Sequence, residues 1–414
     1  MQEGVLSLVQ MTRTSQAFGR LHEAGLLSVC VLTDPTYGGV SASFAALGAV
    51  VVVEQGAHVG FAGPRVVEQI IRQPLPPGFQ TAEFLLAHGL VDRVERRADL
   101  RPLLDRLIRL HRVGAGIAER DAGPDLPANW PEPTSREPSA ELAGPAPEGD
   151  AWLVVQRARD VERPTTREYL GMVFEDFVEI HGDRAFADDP ALVAGIASVG
   201  GRSVVVLGQQ KGRTVKDLVG TNFGMAHPEG YRKALRMLNH AERFHLPVVT
   251  LVDTPGAHPG LEAEERGQFI AIAEMILRIS RLRTPVVAVV TGEGGSGGAL
   301  ALCAADRLLM LEHSFLSVIS PEGCAAILWR AAAEAPLAAR ALHLVPQTLH
   351  SLRVADQIVP EPPGGAAADP LEMSRSIRAA LVQELNNLSR RPVDELLEDR
   401  IRRFDLLDER SLRR

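Results

Sequence analysis

The segment Pro285–Gly323, PVVAVVTGEGGSGGALALCAADRLLMLEHSFLSVISPEG, decides the fold. It opens on apolar β-branched residues and turns through a glycine-rich loop at Thr291–Gly298. It continues into small residues and returns to a second apolar run at Leu308–Leu311. Apolar runs bounded by glycine read as buried strands, and the small residues between them as a helix packed closely on the sheet. The same course runs through Ser28–Pro64, SVCVLTDPTYGGVSASFAALGAVVVVEQGAHVGFAGP. Gly38-Gly39 falls on Gly297-Gly298 and, after one residue of slippage, Glu54 falls on Glu312. An internal repeat of this kind predicts two homologous units.

Working outward, strands are expected at Leu27–Thr33, Ala49–Val53, Ser203–Leu207, Val248–Val252, Val286–Val290 and Leu308–Leu311. They alternate with helical patterns, which makes the chain α/β. Leu261–Leu282 reads as one long helix, and Met373–Arg414 as a helical tail that packs on the body or on another subunit. Residues 121–150 hold seven prolines and seven acidic residues, too little apolar surface to offset the entropy of ordering. The expected organisation is therefore a first domain over 1–112, a linker over 113–150, a second domain over 151–365 and a tail over 366–414.

The composition bounds the function. An apolar fraction of 45% with 23% charged residues is that of a globular protein, and a net charge of −8 argues against sequence-independent nucleic-acid binding. The N-terminus lacks the basic flank and apolar core of a signal peptide, and no apolar run reaches the roughly 18 residues of a membrane span. A cytoplasmic location, without membrane or nucleic-acid partners, is expected. Cys30, Cys303 and Cys324 lie far apart in apolar surroundings, so they read as packing residues, and no metal site is expected.

Each glycine pair follows a strand and is expected to open a helix. The first N–H groups of a helix have no intrahelical partner and carry the positive end of its dipole, and glycine lets a substrate oxygen come close to them. Gly38, Gly39, Gly297 and Gly298 are therefore candidate oxyanion donors. The turn Asp253–Gly260, DTPGAHPG, adds Gly256 and Ala257 as candidate second donors, and His258 as either a base or a polar residue in a crowded turn. Two other motifs share the second loop. Gly292-x-Gly294-x-x-Gly297 with Glu312 fits a dinucleotide fingerprint, and Gly294-x-Ser296-x-Gly298 fits a nucleophile elbow with His313, His343 or His350 as base. The first copy of the repeat has neither. Lys211, Arg213, Arg232 and Lys233 read either as a solvated basic face or as an anion site that takes CoA phosphates or a substrate carboxylate.

At these residues the chain resembles the carboxyltransferases of multi-subunit acetyl-CoA carboxylases. GDRAFADD, QQKGR, NFGMAHPEGYRKALR, DTPGAHPGLEAEERGQ, GEGGSGGALAL and SVISPEGCAAILW are similar to the α component. MQEG, LTDPTYGGVSASFA, GFAGPRVVEQ and LPPGFQTAEFLL are similar to the C-terminal half of the β component. The resemblance implies a crotonase-like (ClpP/crotonase-type) fold in each domain and an active site between them. It implies carboxyl transfer from carboxybiotin, carried on biotin carboxyl carrier protein, to acetyl-CoA, giving malonyl-CoA for fatty acid biosynthesis; propionyl-CoA is the alternative acceptor. Gly38 and Gly39 would hold the thioester oxygen, and Gly297 and Gly298 the ureido oxygen of biotin. No cofactor bound directly to the chain is implied. Biotin carboxylase is the implied partner in an ATP-binding complex, and a homo-oligomer is expected. The N-terminal β half, with its zinc ribbon and the turn that completes the acyl-CoA hole, has no counterpart in the sequence, so a further chain supplying it, or an upstream start, is expected. Alone, residues 1–414 are expected to be a poor catalyst. Gly298→Val is expected to remove activity while leaving the fold largely intact.

Overall fold

The first copy of the repeat supplies the strands β1 (Val29–Leu32), β2 (Val50–Glu54) and β3 (Arg93–Glu95), which form a parallel sheet in the order β1-β2-β3. The remaining strands are β4 (Asp176–Glu179), β5 (Leu192–Val199), β6 (Arg202–Gln209), β7 (Val248–Thr254), β8 (Val286–Gly295), β9 (Arg307–Leu311), β10 (Phe315–Ser317) and β11 (Gln357–Val359). They form a mixed sheet in the order β11-β9-β8-β7-β6-β5-β4, with β10 paired to the end of β8. The structure, a computed structural model, describes residues 4–71, 74–114 and 150–405, so nearly all of the expected linker lies outside the described residues.

The repeat is visible in the pairing. β3-β2-β1 is matched by β11-β9-β8, and the single bridge between Thr36 and Val59 stands where Gly295 pairs with Ser317. In both copies the next helix begins at a proline, Pro64 in one and Pro321 in the other. The difference lies at one edge. β8 is flanked on its far side by β7, whereas β1 pairs, among the described residues, only with β2.

The central strands are buried on both faces, which is why they read as continuous valine runs rather than as alternating patterns. Val286, Ala288 and Val290 of β8 face one apolar cluster, and Val287 and Val289 face another. The first cluster contains Val5, Leu8 and Val9 of the helix Val5–Glu23 together with Ile272, Met275 and Ile276 of the helix Gln268–Ser280. One core therefore runs through both copies. The second cluster includes Met373, Ile377, Leu381 and Leu385 of the helix Pro370–Leu388 and Leu396 of the helix Val393–Asp405. The tail thus covers the second face of the sheet as part of the core.

Two expectations need correction. The helix expected over Leu261–Leu282 is two helices, Leu261–Glu265 and Gln268–Ser280, broken where Gly267 adopts a left-handed conformation at φ 78°. The first glycine pair does not open an α-helix. The chain passes through turns to a single 3₁₀ turn at Phe44–Ala46. Ser41 Oγ donates to the carbonyls of Gly38 and Gly60, and Ser43 Oγ to that of Gly39, so side chains take acceptors that a helix would have used. Among the described residues, no helix is long and apolar enough to cross a membrane. All three cysteines are buried, as expected, and burial pushes the Cys303 thiol up to about 12.

Candidate active site

β8 carries its strand conformation through Gly295, and the chain then enters the helix Ser296–Cys303 through Ser296, held at φ 52°. The turn after β7 lies directly against this entry. A Cβ on Gly292 would come within 2.6 Å of Asp253 Oδ1, and one on Gly295 would overlap the Pro255 carbonyl. The glycines of this loop are therefore required by close backbone approach. Gly298 is packed the same way, since a Cβ there would fall on Ala257 N and within 2.6 Å of the Gly256 carbonyl carbon. Gly297 is different, because the nearest neighbours of an added Cβ are Ile272 Cγ2 and Met11 Cε at 3.5 Å and Phe61 Cε2 at 3.7 Å.

Those neighbours open onto a cavity of about 710 Å³ at the junction of the two copies. Gly38 and Gly39 line it from the first copy, and Gly256, Ala257, Ser296 and Gly297 from the second. The backbone donors in it are unequal. Gly38 N–H is taken by the Phe61 carbonyl at 2.9 Å, and Gly256 N–H by Thr254 Oγ1 at 3.1 Å. Gly39 and Ala257 N–H find no acceptor among the described residues, and Gly297 lies in the first turn of its helix, where N–H groups have no intrahelical acceptor. Three N–H groups, of Gly39, Ala257 and Gly297, are thus open to a ligand. Gly38 and Gly256 N–H are already bonded and Gly298 does not line the cavity, so these three of the six expected donors are read as shaping the backbone.

Among the described residues, the only ionisable side chain lining this cavity is Tyr37. Burial, with Glu264 and Asp34 nearby, pushes its hydroxyl up to about 12, so it is neutral and donates to Gln80 Oε1 at 3.2 Å. Met11, Phe44, Phe61, Met225 and Ile319 make the walls largely apolar. Charge that develops here would meet backbone dipoles in a poorly hydrated space, where such donors act most strongly.

The expected cationic anion site is not assembled. Lys211 lies between Asp253 Oδ1 at 2.7 Å and Glu293 Oε2 at 3.2 Å, beside a smaller cavity of about 230 Å³. Arg213 pairs with Glu168 at 3.1 Å, Arg232 with the buried Asp183 at 2.8 Å, and the buried Lys233 with Asp188 at 2.5 Å. Each cation is answered by a carboxylate, and none of the four lines the large cavity. His258 stacks on His227 with ring centroids 4.0 Å apart, and its Nδ1 accepts the Gly260 N–H. Burial, then the neighbouring His227, lowers its pKa to about 4, so it is a neutral residue of a crowded turn. Neither rival motif finds partners. Ser296 has no histidine bonded to it among the described residues, His313 being engaged by Glu361 and Arg157. Glu312 accepts the Glu361 N–H at 3.0 Å.

Sequence reasoning missed Glu264, whose carboxylate crosses from the second copy to the backbone of Phe61 and Ala62 at 2.8 to 3.0 Å. It stands in the acidic run GLEAEERG, where nothing in the spacing distinguishes a buried acid from exposed ones.

Two matched glycine turns facing one largely apolar cavity suit an enzyme that stabilises oxyanions, and the class is carboxyltransferase. Residues 148–408 match the family model described as acetyl co-enzyme A carboxylase carboxyltransferase-like. Over 405 residues the chain is 53% identical to the acetyl-coenzyme A carboxylase carboxyl transferase subunits beta/alpha of Saccharopolyspora erythraea, covering 98% of this chain and 69% of that protein. It is 57% identical over 253 residues to the carboxyl transferase subunit alpha of Thermus thermophilus, covering 61% of this chain and 81% of that subunit. The solved transcarboxylase 12S hexamer, with methylmalonyl-coenzyme A bound, aligns over 90% of this chain and 68% of its own at 20% identity, with a TM-score of 0.45. The chain belongs to the acetyl-CoA carboxylase carboxyltransferase family, with β-type and α-type parts in one polypeptide.

Proposed function

We propose that the chain moves a carboxyl group from carboxybiotin, presented by biotin carboxyl carrier protein, to acetyl-CoA, forming malonyl-CoA for fatty acid synthesis. Biotin carboxylase would regenerate the carboxybiotin. The observation that carries this reading is the cavity itself, which offers open N–H groups from both copies of the repeat and, among the described residues, no ionised side chain. In such a site the substrates supply the base. Cleavage of the N–CO₂ bond of carboxybiotin releases CO₂ and leaves its electron pair delocalised onto the ureido oxygen. That anion takes a proton from the acetyl methyl group, charge moves to the thioester oxygen, and the enolate carbon then attacks CO₂. The Ala257 and Gly297 N–H groups suit the ureido oxygen, and Gly39 N–H suits the thioester oxygen. Each lost donor is expected to cost about 3 kcal/mol of barrier.

The test measures malonyl-CoA formation with carboxylated carrier protein, with propionyl-CoA as a competing acceptor and NAD binding and fluorophosphonate labelling as parallel arms. Acetyl-CoA-dependent turnover is expected. Tight NAD binding or labelled Ser296 would move the reading to a dehydrogenase or a hydrolase.

A second arm concerns the side of β1 that, among the described residues, has no neighbour like the one β7 gives β8. Adding the part of the longer relatives that this chain does not match should raise turnover by an order of magnitude or more, by supplying a further donor around Gly39. Equal rates with and without it would remove Gly38-Gly39 from the catalytic machinery.

A further inference from the structure

Glu264 is one of the few charged groups buried at the junction of the two copies, at 1% exposure. It ends the helix Leu261–Glu265, immediately after the turn that carries Ala257, and it reaches across to the first copy. Its Oε1 accepts the N–H groups of Phe61 at 2.9 Å and Ala62 at 2.8 Å, and its Oε2 accepts Phe61 again at 3.0 Å. The loop it holds is the back wall of the Gly38-Gly39 turn. The Phe61 carbonyl accepts the Gly38 N–H at 2.9 Å, Gly60 N–H donates to the Thr36 carbonyl at 3.1 Å, and Ser41 Oγ donates to the Gly60 carbonyl at 2.7 Å. Gln80 Nε2 closes the far side by donating to the Ala62 carbonyl at 2.8 Å. A Cβ on Gly60 would overlap Gln80 Nε2 and lie 3.1 Å from Glu264 Oε2, so glycine there leaves room for both side chains.

We infer that Glu264 is a positioning residue that fixes the Gly38-Gly39 half-site relative to the Ala257 and Gly297 half-site, so that the two oxyanion positions keep one spacing. The inference rests on the function proposed above for those turns. The carboxylate is answered by the Phe61 and Ala62 N–H groups and by the Gln80 side chain, and no cation pairs with it among the described residues. Burial outweighs these donors and pushes its pKa up to about 7. An acid kept at that cost, where an apolar contact would hold two surfaces together equally well, is spent on geometry. It acts through the loop, not on substrate, since it does not line the cavity.

The experiment compares Glu264→Ala, Glu264→Gln and the unsubstituted chain by amide hydrogen exchange and by kcat and KM for acetyl-CoA. In the alanine variant, protection should fall at residues 58–62 and 36–41 but not in β8, with kcat reduced about 100-fold, the scale of one displaced donor. KM for acetyl-CoA should stay within about threefold, because a misplaced oxyanion donor weakens the transition state more than the bound substrate. Glutamine keeps a single oxygen for both N–H groups and should restore kcat to within about tenfold of normal. Should the alanine variant not fold, Glu264→Asp, one methylene shorter, should show the same kcat loss. Unchanged protection at residues 58–62 would overturn the lock. So would open exchange with normal kcat, which would leave Glu264 a staple of the fold. If the unsubstituted chain carboxylates no acyl-CoA, the functional reading fails separately, and exchange at residues 58–62 and 36–41 alone decides whether Glu264 holds the turn.

Discussion

Gly297→Val should keep its stability and lose at least ~100-fold in turnover, whereas its neighbour Gly298→Val should be clearly destabilised. The two glycines are adjacent in the same helical turn, and the difference lies in what a side chain would meet. At Gly297 a Cβ finds ordinary contacts with Ile272, Met11 and Phe61, and the branches of valine then project into the cavity over the open N–H. At Gly298 a Cβ lands on Ala257 N and 2.9 Å from Tyr231 Oη, both held in the fully buried floor of the site. Relieving that overlap would push the Asp253–Gly260 turn off the sheet, and overpacking of this kind costs roughly 1–3 kcal/mol or more. Circular dichroism melts alongside turnover separate the cases. An inactive Gly298→Val with an unchanged melt, as the sequence alone suggested, or an active Gly297→Val would break the assignment of Gly297 as the donor and Gly298 as the contact.

Arg400→Ala should destabilise the chain by about 3–5 kcal/mol, the range for removing one member of a buried ion pair. Arg400 is 1% exposed on the tail helix Val393–Asp405. It forms two bonds to Asp306, at 2.8 and 2.7 Å, and donates to the carbonyls of Ile279, Leu282 and Thr284 at 2.8 to 3.0 Å. Asp306 Oδ2 in turn accepts the Val286 N–H at 2.7 Å, so the pair ties the tail to the start of β8. Truncation leaves a buried carboxylate with only part of its partners and three carbonyls with one donor fewer. Lysine cannot span this set, since it lacks the planar fork, and should rescue little. Urea unfolding measures the effect. A loss below ~1 kcal/mol would mean that water or a shift of the tail replaces those bonds.

The strands and the repeat were legible because a strand buried on both faces leaves an unbroken apolar run, and Val286–Val290 and Val248–Val252 have no other physical reading as short segments between glycines and prolines. What sequence patterns could not carry were partners distant along the chain. Lys211 and Lys233 read as free cations because Asp253, Glu293 and Asp188, which neutralise them, come from other loops. The short helix expected after Gly39 failed for a local reason, the competing serine hydroxyls at 41 and 43. The break at Gly267 failed for another, since an isolated glycine is tolerated in many helices and only its φ reveals the stop. Among the six glycine-turn candidates, the sequence located the site and the backbone bonding then divided donors from spacers.

The apolar cluster that joins the helix Val5–Glu23 to the helix Gln268–Ser280 holds the two copies together by burial as well as by chain connectivity. Two parts joined in one chain hold each other at an effective concentration on the order of millimolar. Proteolysis confined to residues 115–149 should therefore leave two fragments that co-purify, separating only on dilution below the affinity of the buried face. The same surface can then serve a single polypeptide or a pair of separately encoded subunits, such as the free-standing alpha subunit among the relatives. Fusion of the two guarantees equal stoichiometry and spares the half-sites a search for each other.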